Sequence, residues 1–176
     1  MKILAIIPAR GGSQRLRNKN IFPLWGKPMI YWAIKACKQS KFDIKVCIST
    51  ENEEISKIAH ELGSIVHKRD PKLADHKTHK QAAIRSAARW YEELNGKQDV
   101  FISLQANSPE VKEKDLDKAI ETLLEYKKDE IFSADSSLMQ NAAFRVFMGD
   151  YVYQEDLSTN CGVSVCPLYD VHTLED

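Results

Sequence analysis

Apolar positions along this chain alternate between two rhythms. Short unbroken runs are followed by stretches in which apolar residues return every third or fourth position. Residues 3–7 form the first run and predict a buried strand. Ile30, Ala33, Ile34 and Cys37 then keep the i, i+3, i+4, i+7 spacing of a helix, with Pro28 suited to its first turn. Residues 45–49 predict a second strand. Thr50 and Glu53 have the spacing of a capping box ahead of Ile55, Ile58, Ala59 and Leu62, and Gly63 marks the stop. Residues 64–67 predict a third strand. Ile84, Ala87, Ala88 and Tyr91 predict a helix ended by Asn95-Gly96. Residues 100–104 predict a strand, Leu116, Ala119, Ile120, Leu123 and Leu124 a helix, and residues 131–133 another strand.

This alternation predicts an α/β domain with an open, mostly parallel, Rossmann-like sheet, covered by helices on both faces in a three-layer α/β/α arrangement. Such sheets bind ligands beyond the carboxyl ends of their strands. The loops to inspect therefore follow residues 7, 49, 67 and 104. After Asp135 the rhythm breaks. Residues 143–147, 151–153 and 162–166 predict short strands and a small antiparallel extension near the C-terminus. The chain has 176 residues and no linker-like segment, which predicts one domain over 1–176.

Composition adds little, but charge order adds much. The chain is 43% hydrophobic and 28% charged, ordinary for a soluble globular protein, with a formal net charge of zero. No overall basic field argues for nucleic acid. Yet residues 1–42 carry nine Lys and Arg and no Asp or Glu, and the remainder is acidic. That asymmetry fits a local anion site or a solvated basic face. The cysteines (Cys37, Cys47, Cys161, Cys166) show no C-x-x-C pair and no disulfide framework. The apolar run before Pro8 is too short for a signal peptide, and no run reaches the length of a membrane span. A reducing, cytoplasmic setting without membrane or nucleic-acid partners is expected.

The first βα loop, "IIPARGGSQRLRNKN", is where the bases concentrate. Glycines directly after a strand let the backbone approach an oxygen-rich ligand, and successive N–H groups there can form an anion nest. Arg10, Arg15, Arg17 and Lys19 can neutralise phosphate charge. The loop is neither G-x-x-x-x-G-K-[ST] nor G-x-G-x-x-G, so neither a P-loop nor a dinucleotide fingerprint is present. His76 and His79 lie between lysines that oppose a bound cation. Trp25, Trp32 and Trp90 are dispersed and read as core or interface residues, and Asp135 as a turn residue.

The longer string resembles the N-terminal signature of the cytidylyltransferases that activate acidic sugars, the CMP-sialic acid synthetase family with its pseudaminate, legionaminate and Kdo relatives. Three motifs carry the likeness: Ala9-Arg10-Gly11-Gly12-Ser13, Lys19-Asn20, and Gly26-Lys27-Pro28. It continues through "ISTENEEISKIAHELG", "HKRDPKLADHKTHK" and "LQANSPEVKEKDLDKAIE", covering about residues 2–135. The resemblance implies a sheet of the nucleotide-diphospho-sugar transferase type. It implies attack of a sugar hydroxyl on the α-phosphorus of CTP with loss of pyrophosphate, on Mg²⁺, in a homodimer serving cell-surface polysaccharide synthesis. Ala9, Arg10, Gly11, Gly12, Ser13, Gln14 and Arg15 would then cradle the triphosphate and Lys19 add charge. Asn20 and Thr78 would lie near cytosine and ribose, and Gln105 where the acceptor meets the α-phosphate. Arg10, Lys19 and Gln105 are the implied catalytic residues.

Family members carry an Asp-x-Asp-Thr-like metal segment. Here Asp170-Val171-His172-Thr173 is similar to it, with His172 in place of the second acid. A histidine suits Mn²⁺ better than Mg²⁺. Equally, Thr173 has the position of a helix cap and Asp170 that of a turn residue. The stretch from Asn160 to Asp176 also resembles an earlier family strand. Gln14 replaces a lysine common in the family, Ala106-Asn107 replaces Pro-Thr, and Glu110 stands where relatives often carry a base. Residues 136–160 read as a shortened extension or dimer arm. Two functions follow: a CTP-dependent transferase, or a nucleotide-binding module of the same fold without turnover. A pyrophosphorylase of the same fold, using another nucleotide, is a lesser third option.

Overall fold

The computed structural model of the chain describes residues 1–13, 15–74, 80–156 and 158–176. A seven-stranded sheet forms its centre. The strands are β1 (Ile3–Pro8), β4 (Ile44–Thr50), β5 (Ile65–Lys68), β6 (Val100–Leu104), β7 (Glu130–Ala134), β8 (Gln140–Met148) and β9 (Cys161–Val165), in the order β5-β4-β1-β6-β8-β7-β9. A two-stranded ribbon, β2 (Pro23–Leu24) with β3 (Lys27–Pro28), lies outside it. Strands β5, β4, β1 and β6 run parallel, β8 is antiparallel to both neighbours, and β7 and β9 are parallel to each other. The antiparallel part of the sheet is therefore β8. The strand expected at 162–166 is present but pairs in parallel.

Alternation along β1 decides the layers. Ile3, Ala5 and Ile7 face a core built with α1 (Met29–Gln39), α2 (Glu53–Glu61) and α4 (Glu113–Glu125). Leu4 and Ile6 face the opposite core, where Ile84, Ala87, Ala88 and Tyr91 of α3 (Lys80–Asn95) pack on Phe101 and Phe147. Both faces of β1 are covered, which is why it reads as a continuous apolar run. Phe144 on β8 is fully buried. Phe144→Ala is expected to lower stability by about 3–5 kcal/mol, read as a shift in urea midpoint.

Three local expectations are corrected. The cap of α2 is Asn52, whose side chain accepts from the Ile55 N–H at 3.0 Å, while Thr50 Oγ1 accepts from the Asn52 N–H at 3.1 Å. One hydroxyl two residues upstream thus serves the cap rather than being it. Residues 151–153 belong to a 3-10 turn (Gly149–Tyr153), because Val152 alone of that trio turns fully into the core. No helix begins at Thr173. Residues 166–176 run as an irregular strap. Gly63 ends α2 as expected: at φ +68 its N–H meets the His60 carbonyl, and the Ser64 N–H meets that of Ala59. Cys37 and Cys47 are buried, and that burial pushes both thiols up to about 12. Among the described residues, no helix is long and apolar enough to cross a membrane.

Candidate active site

The chain crosses from one side of β1 to the other between β5 and β6. The carboxyl ends of β1 and β6 are therefore the place where a parallel sheet opens a crevice. The loop after β1 enters it. Ala9 is buried and its N–H donates to Ser49 O at 3.0 Å, anchoring the loop to β4. Asn20 is buried and its Nδ2 donates to Arg10 O at 2.8 Å, closing the loop on itself. Gly11 is a steric requirement: a Cβ there would stand 2.5 Å from Asn52 Nδ2. Gly11→Ala must push Asn52 off its cap. The expected result is about 1 kcal/mol less stability, read by urea denaturation.

The backbone nest is partly committed. The Gly11 N–H donates to Glu51 Oε1 at 2.7 Å and the Ser13 N–H to Gly11 O at 3.0 Å. Gly12 is exposed, with open space around its Cα. Glu51 in turn accepts from Arg69 at 2.8 Å, and both side chains are largely buried. Sequence reading missed this pair. Its only signal was an arginine preceding the Asp70-Pro71 turn in "HKRDPK".

Lys19 is half-buried. Burial, first of all, pushes its ammonium below the ordinary value. Arg10 and Arg15 push the same way, and Asp170 and Asp176 oppose them. The strap explains the acids. The Val171 N–H donates to Asn107 O at 2.8 Å, Asn107 Nδ2 donates back to Val171 O at 3.0 Å, and the Tyr169 N–H donates to Glu110 Oε2 at 3.2 Å. Asp170 Oδ1 then accepts from the buried Ser108 hydroxyl. The "YDVHT" segment is thereby carried across the loop after β6 to Lys19. Gln105, half-buried, sits on the same edge, its N–H donating to Ala143 O at 2.9 Å.

So Arg10, Arg15, Lys19 and Asp170 converge. Gln14 and Thr78 lie outside the described residues, as do His76 and His79. His172 is exposed, and its N–H donates to Asp176 Oδ2 at 2.7 Å. Among the described residues, no three His, Cys, Asp or Glu side chains are grouped to hold a metal. The donor chemistry fits an ion held by one carboxylate and carried in with phosphate oxygens, as Mg²⁺ commonly is. It does not form a protein-only cage. Asp135 is a turn residue as expected, its Oδ1 accepting from the Ser137 and Met139 N–H groups at 2.8 and 3.0 Å. Trp25 and Trp32 are not dispersed. Their rings meet edge-to-face at 5.2 Å beside a cavity of about 650 Å³ between α1 and the start of α4. That cavity includes none of the converging residues.

A family model described as Cytidylyltransferase matches residues 4–158. This chain belongs to the cytidylyltransferase family. N-acylneuraminate cytidylyltransferase A of Danio rerio is 38% identical over 131 residues, 74% of this chain and 30% of that protein. Pseudaminic acid cytidylyltransferase of Campylobacter jejuni is 33% identical over 135 residues, 76% of this chain and 58% of that protein. The chain thus spans less than two thirds of the length of these relatives. A solved CMP:2-keto-3-deoxy-manno-octonic acid synthetase, complexed with CTP, shares the fold at a TM-score of 0.77 and 14% identity, covering 99% of this chain and 95% of that one.

Proposed function

We propose that this protein transfers CMP from CTP to a hydroxyl of an acidic sugar, a nonulosonic or ulosonic acid, and releases pyrophosphate. The observation that carries the reading is the convergence of Arg10, Arg15, Lys19 and Asp170 at the carboxyl end of β1 in a chain of this family. The acceptor oxygen bonds to the α-phosphorus as the bond to the bridging oxygen of pyrophosphate breaks. The hydroxyl proton goes to water. Charge neutralisation and alignment supply most of the rate in such transfers.

Arg10, Arg15 and Lys19 hold the triphosphate, with the backbone of residues 11–13 close to its oxygens. Partial burial disfavours the free Lys19 ammonium but strengthens its attraction to the negative charge that the leaving pyrophosphate gathers. Asn20 and Thr78 contact the nucleoside, and Gln105 the acceptor near the α-phosphate. Asp170 is the carboxylate for Mg²⁺, or Mn²⁺, with His172 as a lesser donor. The bound ion supplies Lewis-acid charge on phosphate oxygens. The chain acts as one domain over residues 1–176, in the cytoplasm, as a homodimer.

A second reading, nucleotide binding without turnover, draws on the lack of a three-ligand metal group among the described residues. Pyrophosphate release separates the two. With CTP, Mg²⁺ or Mn²⁺, and N-acylneuraminate, pseudaminic acid or 2-keto-3-deoxy-manno-octonic acid, turnover is expected on at least one acceptor. CTP binding without release on any of them overturns the transferase reading. Competition among CTP, UTP, GTP and ATP checks the base.

A further inference from the structure

The turn between β2 and β3 is strained by the residue it holds. Leu24 pairs with Lys27, so Trp25 and Gly26 alone make the turn, at φ +50 and +75. Asn, Asp and Gly favour that left-handed pair of positions, and a bulky residue there is an outlier. Trp25 is also 63% exposed. A costly backbone that presents a large apolar ring to water points to a ligand. The ring is held in a defined place. It meets Trp32 edge-to-face at 5.2 Å, and Trp32 Nε1 donates to Leu24 O at 3.1 Å, so the second indole fixes the strand that carries the first. Both line the cavity of about 650 Å³ between α1 and the start of α4. That volume falls within the roughly 300–1,000 Å³ of small-molecule sites.

The remaining lining narrows the ligand. Lys35 Nζ stands 5.3 Å from the centre of the Trp32 ring, so that ring already holds a cation. With Lys112 on the same cavity, it opposes a cationic guest. Glu110, Glu113 and Asp115 oppose an anionic one. The side chains of Gln39 and Glu113 make no hydrogen bond or ion pair with another described residue, so an amide donor and several acceptors remain for a guest. A wholly apolar guest would strip water from these groups and give nothing back. A pyranose meets every condition. It is uncharged, it offers an apolar C–H face to an indole, and its hydroxyls both donate and accept. We propose that this cavity binds a neutral saccharide against Trp25, with Gln39 and Glu113 taking its hydroxyls. The site uses none of the residues assigned to CMP transfer, so it stands apart from the transferase reading.

The test titrates maltotriose, N,N′-diacetylchitobiose and methyl β-galactoside calorimetrically into the full chain, with choline, citrate and cytidine as the cationic, anionic and planar alternatives. At least one saccharide is expected to bind in the range of about 1 mM or tighter. Trp25→Asn is expected to weaken that binding about tenfold or more, while CTP affinity by dialysis stays within about threefold. Asn fits the turn, so the urea midpoint is expected to hold or rise. Gln39→Leu leaves the turn alone and is expected to weaken the saccharide without moving the midpoint. If Trp25→Asn lowers the midpoint, Gln39→Leu decides between a packing role and a binding one. Saccharide binding that survives both substitutions lies elsewhere and overturns the assignment. So does binding of choline, citrate or cytidine in place of every saccharide, or binding of none of the six.

Discussion

Asp170→Asn lowers pyrophosphate release by about 100-fold or more and leaves CTP binding in the absence of metal unchanged or tighter. The two halves of this expectation have one cause. Asp170 is a negative charge beside Lys19, so its removal makes the loop a better anion site while the carboxylate offered to a nucleotide-borne cation is lost. The isosteric amide can still accept from Ser108 and keeps the strap on Asn107, so the fold is retained. Steady-state turnover with Mg²⁺ and with Mn²⁺, beside equilibrium dialysis with CTP in chelator, reads both halves. Unchanged turnover in a folded Asp170→Asn protein would remove Asp170 from the mechanism. A parallel loss of metal-free CTP affinity would instead make it a structural support for the loop.

Arg69→Met carries an expected effect on stability as large as that of Phe144→Ala. Arg69 is 5% exposed and its guanidinium meets Glu51, which also receives the Gly11 N–H. Removing the arginine strands a largely buried carboxylate beneath the loop after β1. Loss of one partner of such a pair costs about 3–5 kcal/mol. CTP affinity is expected to fall with it, because Arg69 no longer fixes the Glu51 carboxylate that receives the Gly11 N–H. Pairing the change with Glu51→Leu separates the effects. The double variant is expected to recover most of the stability, since two apolar groups can replace a buried pair, but not the affinity, since Gly11 loses its acceptor. Urea denaturation and CTP dialysis on the two single variants and the double variant check this. A single Arg69→Met protein with wild-type stability would show that water, not the loop, takes up the Glu51 charge.

Elements with strong periodic signals were legible in the sequence, and so was the acid-free, glycine-bearing loop after β1. The apolar runs of β1, β4 and β6 and the helical spacing of α1 to α4 each report burial of one residue's own neighbours, which local pattern encodes. The caps were less legible, since Thr50 and Asn52 both offer an oxygen near the start of α2 and only the backbone path decides between them. The 3-10 turn at Gly149–Tyr153 was misread for a similar reason: aromatic and β-branched residues mark a strand unless another element pulls one of them inward. The parallel pairing of β9 with β7 was invisible, because strand direction is set by how the chain returns to the sheet rather than by the residues in the strand.

The sequence by itself determined the α/β class, the order of most elements, and an acid-free loop after β1 that carries Arg10, the glycine pair and Lys19-Asn20. Those are properties of residues close together along the chain. Tertiary structure decided which distant charges answer them. The strap at residues 166–176 brings Asp170 to Lys19, and the loops after β4 and β5 bring Glu51 and Arg69 beneath Gly11. Coulombic and hydrogen-bond energies depend on separation and burial in space, and neither quantity is written in residue spacing when the partners lie on different elements.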